Sequence, residues 1–257
     1  MALRRNEPPD GADIFNKRFR PLPFLESLPC PYAARKEEEV MEERIRKHID
    51  ALFIRYPQLK ICSDDIARAY EMMAQAYAND KKLLIAGNGG SAADSEHIAG
   101  ELMKRFRTPR PVTEDFARKL KAVDRKRGEA LSGSLERGLM AIPLVAHEAL
   151  TTAYINDVDG SGVFAQQLFG FGRSGDVFLG ISTSGNSENI ISAAVVAHAL
   201  GIKVIGLTGA SGGELAQVAD VAIKVPETET YMIQELHLPV YHCLCLMLED
   251  RFFGGET

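Results

Sequence analysis

The chain has 257 residues, is 46% hydrophobic and carries a formal net charge of -5, with a pI near 5.8. That length supports one or two domains with a sizeable core, and the mild acidity offers no global basic field to nucleic acid or an anionic membrane. No window holds 18 apolar residues, and the start, MALRRNEPPDGAD, lacks an apolar signal core, so neither a membrane span nor a secretion signal is expected and the expected compartment is the cytoplasm.

In chain order, residues 1–34 hold six of the twelve prolines and little periodicity, which predicts an irregular arm. Residues 35–257 are expected to form a single domain. From Lys36, KEEEVMEERIRKHIDALFIRY places Val40, Ile45, Ile49 and Leu52/Phe53 near helical spacing. A second helix follows in CSDDIARAYEMMAQAYAND, with Ser63 or Asp64 as its cap and Ile66, Tyr70, Met73 and Ala76 as its apolar stripe.

An alternation then begins. KKLLIAG reads as a buried strand closed by glycine, with a helix from about Ser91. LMAIPLVA reads as a second strand, followed by helices in EALTTAYIND and SGVFAQQLFGFG. DVFLGIS, KVIGLTG and VAIKVP are further strands, separated by helices in NSENIISAAVVAHAL and GGELAQVA, and a last helix spans about 230–252. Apolar β runs alternating with helices predict an α/β fold, a parallel sheet covered on both faces. The order of the strands is not readable from this pattern. Residues 107–137 are polar and basic and read as a surface helical excursion whose charges are solvated rather than a nucleic-acid patch. Of the four cysteines, Cys30, Cys62, Cys243 and Cys245, none forms a CxxC pair, so reduced thiols are expected, with Cys243 and Cys245 packing rather than ligating.

Two strand ends carry unusual loops. In Gly87-Asn88-Gly89-Gly90-Ser91, three glycines let the backbone approach an oxyanion, and the following helix presents free N–H groups. Taken alone this is also an ordinary tight turn. In STSGNSENI, residues 182–190, Ser182, Thr183, Ser184 and Ser187 set four hydroxyls around one glycine, with Asn186 or Ser187 as helix cap. The loop has no lysine or arginine and is not a GxxxxGK[ST] nucleotide loop, so a phosphate here would rest on hydroxyls, N–H groups and the helix dipole. That arrangement suits a phosphate monoester on a small metabolite.

Beyond the first loop, His97 and Glu101 lie four residues apart and converge on one helix face. The pair could be a plain surface ion pair; its place within three turns of the glycine loop favours a site. The last helix adds His237, read as a packing histidine, and Gln234 and His242, eight residues apart or about 12 Å along a straight helix. Pro239 between them favours a bend; assembly from different chains would also bring them together.

The segments GNGGSAADSEH, IND, STSGNS and IQELHLPVYH resemble the sugar isomerase (SIS) domain family, and within it the phosphoheptose isomerases. The resemblance covers Lys36 to the C-terminus. It implies a flavodoxin-like three-layer sandwich on a five-stranded parallel sheet, with N-terminal helices added and the polar insertion at 107–137. It further implies a homotetramer with active sites at subunit interfaces, and interconversion of sedoheptulose 7-phosphate with D-glycero-D-manno-heptose 7-phosphate on the way to ADP- or GDP-heptose. By the same resemblance Glu101 is the general base and His242 its acid/base partner. One zinc per subunit falls to His97, Glu101, Gln234 and His242. Substrate contacts fall to Asn88, Gly89, Gly90, Ser91, Asn156, Asp157, Ser182, Thr183, Ser184, Ser187 and Gln234. Ala92, Ala93, Gly100 and Tyr231 depart from residues often seen at the pocket rim and bear on the exact sugar. Related regulators that act in replication initiation lack the base and the last-helix histidine; other SIS isomerases, of arabinose or amino-sugar phosphates, usually carry different acid/base residues. Retention of Glu101 and His242 beside His97 and Gln234 favours the enzyme.

Overall fold

A computed structural model describes residues 43–254; the arm expected at 1–34, Val40 and Cys30 lie outside them. Strands β1 (Leu83–Gly87), β2 (Ala141–Pro143), β3 (Val177–Ile181), β4 (Lys203–Thr208) and β5 (Val221–Lys224) form one parallel sheet in the order β2-β1-β3-β4-β5. Side chains alternate across it because the strand period is two. Leu83, Ile85, Leu179, Ile205 and Leu207 enter one core; Leu84, Ala86, Phe178 and Val204 enter the other. β1 and β3 are buried along their whole length, as a doubly covered sheet requires. Each fully buried Leu, Ile or Phe here contributes on the order of 1.5–3 kcal/mol.

The first face is covered by α2 (Ser63–Ala78), α3 (Gly90–Met103) and α10 (Thr230–Phe253), with α1 (Glu43–Arg55) packed on α10. The second is covered by α7 (Val163–Phe171), α8 (Glu188–Ala199) and the short α9 (Leu215–Val218). The stripe Ile66, Tyr70, Met73 and Ala76 is buried as its spacing predicts. Helices α4 (Glu114–Val123) and α5 (Arg125–Ser134) form a hairpin that buries only Gly128; its base is clasped by a Pro111–Glu136 bridge.

Three local expectations are corrected. The second strand is three residues long: Pro143 cannot donate to the ladder, β2 lies at the sheet edge, and Leu144–Ala146 turns into a 3-10 helix. Neither Ser63 nor Asp64 caps α2, because a 3-10 turn at Pro57–Cys62 runs straight into it and Lys60 O already accepts the Ser63 N–H. Ser187 stands at the N-cap of α8 without a side-chain cap bond; its hydroxyl meets Ser182 Oγ at 2.9 Å, while Asn186 Oδ1 accepts the Glu214 N–H at 3.0 Å. Both side chains hold loops together instead of closing the helix.

Candidate active site

The strand order decides where the two loops meet. The chain after β1 feeds α3 on one face, and the chain after β3 feeds α8 on the other. Neighbouring strands whose helices leave in opposite directions open a crevice at their carboxyl ends, the usual ligand position of this topology. Across that crevice Asn88 Nδ2 donates to Asn189 Oδ1 at 2.9 Å and Asn189 Nδ2 donates back to Asn88 Oδ1 at 3.0 Å. The glycine loop and the serine loop are thereby tied to each other.

In the first loop Gly89 is the N-cap of α3 at φ 56°, a conformation open to glycine. A Cβ on Gly87 would overlap the Ser91 carbonyl. Ser91 is buried, and its carbonyl accepts from Ser95 Oγ at 2.8 Å. Gly90 lies under the Gln234 amide, with room for no further carbon between them.

The second loop borders a cavity of about 260 Å³. Thr183, Ser184 and Asn186 form one wall; Gly209, Ala210 and Ser211 after β4, Glu227 and Thr228 before α10, and Thr230 at its start form the other. Among these described lining residues there is no lysine or arginine, so the cavity offers hydroxyls and an amide, as the loop composition predicts, with the Glu227 carboxylate and Ile233 also on its lining. The second wall escaped sequence reading. Its signal was present in GASGGE, a small-residue turn at the end of a strand. Gly185, at φ 71°, packs so closely on the Gly212 carbonyl that the two turns form a unit.

α3 and α10 run side by side. Gln234 sits at the first turn of α3, and two turns further on His242 meets His97. His97 Nε2 lies 3.2 Å from Glu101 Oε1 and 3.5 Å from His242 Nε2. The chain thus gathers the predicted base, its partner and the i,i+4 imidazole around one atom. Phe106 flanks His242 at 5.3 Å between ring centroids, and the Glu101 side chain is 15% exposed. Burial first, then the charge of His97, pull His242 below the ordinary imidazole value, against the opposing pull of Glu101.

Two residue pairs missed in the sequence complete this corner. Tyr241 Oη donates to Asp94 Oδ1 at 3.1 Å and lies 3.0 Å from His97 Nδ1. Burial, then the Asp94 carboxylate, push the phenol well up, so it stays protonated. Below the site Arg110 and Glu249, both almost fully buried, pair at 2.8 Å. Arg110 Nη1 and Nη2 also donate to Leu102 O and Glu101 O at 2.7 and 3.2 Å, closing the last turn of the helix that carries Glu101.

Other expected residues are placed elsewhere within this chain. Asn156 and Asp157 end the exposed helix α6 (Glu148–Asp157), bonded to each other at 2.8 Å. Gln234 is separated from the His97 cluster by two turns of α3, roughly 10 Å, in an unbroken α10 that contains Pro239. His237 is buried as expected, but neither ring nitrogen makes a hydrogen bond. Cys62, Cys243 and Cys245 are buried free thiols; burial pushes Cys62 up to about 11 and Cys243 up to about 12, so they pack rather than react.

A cavity lined largely by Ser and Thr at the strand ends, a carboxylate and two imidazoles gathered farther along α3 and α10, and a 2-1-3-4-5 parallel sheet define an α/β protein with its polar groups at the topological switch point. The SIS domain profile matches residues 58–138 and 131–209. Phosphoheptose isomerase of Aneurinibacillus thermoaerophilus is 37% identical over 84% of this chain and 98% of its own length; that of Geotalea daltonii is 41% identical over 75% and 86%. Among solved structures, the phosphoheptose isomerase of Neisseria gonorrhoeae superposes with a TM-score of 0.61 at 33% identity, covering 81% of this chain and 98% of its own, and that of Francisella tularensis with 0.62 at 32%, covering 80% and 98%. The chain belongs to the phosphoheptose isomerase family of SIS-domain proteins.

Proposed function

We propose that the chain is an aldose–ketose isomerase that interconverts sedoheptulose 7-phosphate and D-glycero-D-manno-heptose 7-phosphate, supplying heptose for nucleotide-activated sugars. The carrying observation is the placement of Glu101 and His242 within 3.5 Å of one nitrogen of His97, with a hydroxyl-bearing cavity at the other end of the α3–α10 contact.

The phosphate rests against the serine loop, the N-terminus of α8 and the turn after β4, on hydroxyls and N–H groups. Gln234, between cavity and cluster, and Asn88, Gly89, Gly90 and Ser91 hold the sugar chain along the crevice. Glu101 removes the proton from carbon 1 of the ketose. The electron pair forms the carbon 1–carbon 2 double bond, and the carbonyl oxygen on carbon 2 takes a proton from His242. In the second half the hydroxyl on carbon 1 returns a proton to His242 as its carbonyl forms, and Glu101 delivers its proton to carbon 2. Positioned acid–base groups of this type contribute on the order of 10²–10⁴-fold each. Burial lowers the His242 imidazole from its ordinary value, which makes its protonated form the stronger acid towards the carbonyl oxygen.

The donor set also suits zinc in part. Among the described residues no three His, Cys, Asp or Glu side chains are arranged to hold a metal ion as they stand. Yet the 3.2 and 3.5 Å separations approach the roughly 3.4 Å edge of a tetrahedron with bonds of about 2.1 Å. His97, Glu101 and His242 would hold the ion, with the Gln234 amide joining after rearrangement or from another protomer. When bound it would polarise the substrate oxygens as a Lewis acid. A homotetramer would bring Asn156 and Asp157, exposed here, to a neighbouring crevice. No helix among the described residues is long and apolar enough to cross a membrane.

The experiment is conversion of sedoheptulose 7-phosphate by the purified chain, read by appearance of the aldoheptose phosphate. Turnover in the wild type, lost in His242→Asn, is expected. Binding of the sugar phosphate with no conversion would assign the chain to a sugar-phosphate-responsive regulator instead.

A further inference from the structure

The Asp94–Tyr241–His97 chain has no part in the proton transfers above, and its geometry carries a consequence for them. A phenol has one proton. Tyr241 gives it to Asp94 Oδ1 at 3.1 Å, since an ionised carboxylate only accepts. Toward His97 Nδ1, 3.0 Å away, the same oxygen is then an acceptor, so Nδ1 must carry the hydrogen. The neutral ring is left with its lone pair on Nε2, the atom that faces Glu101 Oε1 at 3.2 Å and His242 Nε2 at 3.5 Å; an ionised Glu101 carboxylate likewise only accepts, so a proton or a cation has to lie between Nε2 and Oε1. Tyr241 is 2% exposed and meets the His97 ring edge-on, 5.5 Å between centroids at 76°, so the phenol also fixes the plane of the imidazole. Asp94 lies one turn before His97 on α3, and Tyr241 adjoins His242 on α10. The relay therefore bolts together the two helices that supply base and acid.

We propose that Asp94 and Tyr241 are positioning residues that hold His97 as the Nδ1–H tautomer, aiming a free lone pair on Nε2 into the space between Glu101 and His242. The inference rests on the isomerase reading for its catalytic meaning, but the tautomer stands or falls without it. Convergence of one carboxylate oxygen and two imidazole nitrogens suits a proton or divalent cation held between them. Outer partners that set the tautomer of such a histidine typically change metal affinity 10–100-fold when removed.

The test is ¹⁵N NMR of histidine-labelled, metal-free full-length chain, with the His97 resonances assigned by their loss in His97→Asn. Wild type should show His97 protonated at Nδ1. Tyr241→Phe, which keeps the ring and removes one oxygen, should shift His97 towards the Nε2–H form. Asp94→Asn keeps the shape and should do likewise. Zinc affinity, read by competition with a chelator, should fall 10–100-fold in Tyr241→Phe, and kcat on sedoheptulose 7-phosphate should fall with KM nearly unchanged. An Nε2–H tautomer in wild type, which donation to the Glu101 carboxylate or a protonated Asp94 driving the chain in reverse would produce, overturns the proposal. So does an unaltered tautomer in a folded Tyr241→Phe. The expected tautomer in a chain inert towards the sugar phosphate would keep this assignment and remove the isomerase.

Discussion

Arg110→Met removes the most deeply buried charge described in the protein, and its cost is read from the partners left behind. The guanidinium is 0% exposed and lies 4.4 Å over the Phe253 ring. It bonds Glu249 through Nε at 3.1 Å and Nη2 at 2.8 Å, and caps the Leu102 and Glu101 carbonyls. Methionine fills much of the volume, so cavity formation is minor. What remains is a carboxylate 1% exposed and a Glu101 carbonyl without its Arg110 donor; the Leu102 carbonyl keeps the Leu139 N–H at 2.9 Å. Breaking one side of a buried pair costs about 3–5 kcal/mol. Glu249 keeps the N–H groups of Phe106 and Arg107 at 2.8 and 2.9 Å, which favours the lower end. The lost bond to the Glu101 carbonyl adds about 1 kcal/mol. A loss of about 4 kcal/mol is therefore expected. In urea, at a slope of about 2–3 kcal/mol per molar, the midpoint should drop by roughly 1.5–2 M. The double variant Arg110→Met/Glu249→Leu should cost clearly less than the sum of the singles, because it strands no buried charge. A single-variant loss below about 1 kcal/mol, or strict additivity, would refute the reasoning.

Glu101→Gln should keep fold and sugar-phosphate affinity while kcat drops at least about 100-fold, checked by steady-state kinetics against binding calorimetry. His237 is held neutral by burial, at a pKa of about 4. The unfolded chain takes up its proton near the ordinary value of about 6.5 and the folded chain does not. Stability is therefore full above pH 6.5 and falls by up to about 3 kcal/mol as the pH drops towards 4. His237→Leu should flatten that part of the stability profile, and an unchanged slope would contradict it. Gly185→Ala forces a Cβ into the Gly212 carbonyl at φ 71°; it should raise KM for the sugar phosphate far more than it lowers kcat. Zinc added to metal-free chain should raise the Tm, and the rise should shrink in His97→Asn, by differential scanning calorimetry.

Most elements were legible because period and punctuation agreed: Ile66, Tyr70, Met73 and Ala76 repeat at helical spacing, and β1 and β3 are continuous apolar runs closed by glycine or serine. His97 and Glu101 were legible as a pair because i,i+4 geometry is local. What escaped was long-range. Arg110 looked like one more solvated charge in a basic stretch, yet its partner is 139 residues away at Glu249. Tyr241 reaches Asp94 across 147 positions, inside a helix whose uniform apolar character hides which face meets α3. The cavity's second wall arises only once β4 lies beside β3, an order no single-sequence pattern encodes.

The most direct measurement follows sedoheptulose 7-phosphate in heavy water by NMR, with wild type and Glu101→Gln side by side. Transfer through an enediol by an exchangeable carboxyl places deuterium on carbon 2 of the aldoheptose product in wild type and almost none in the variant. Equal labelling of carbon 2, or an equal rate of product formation, in the Gln variant would contradict the assignment of Glu101 as the group that carries the proton.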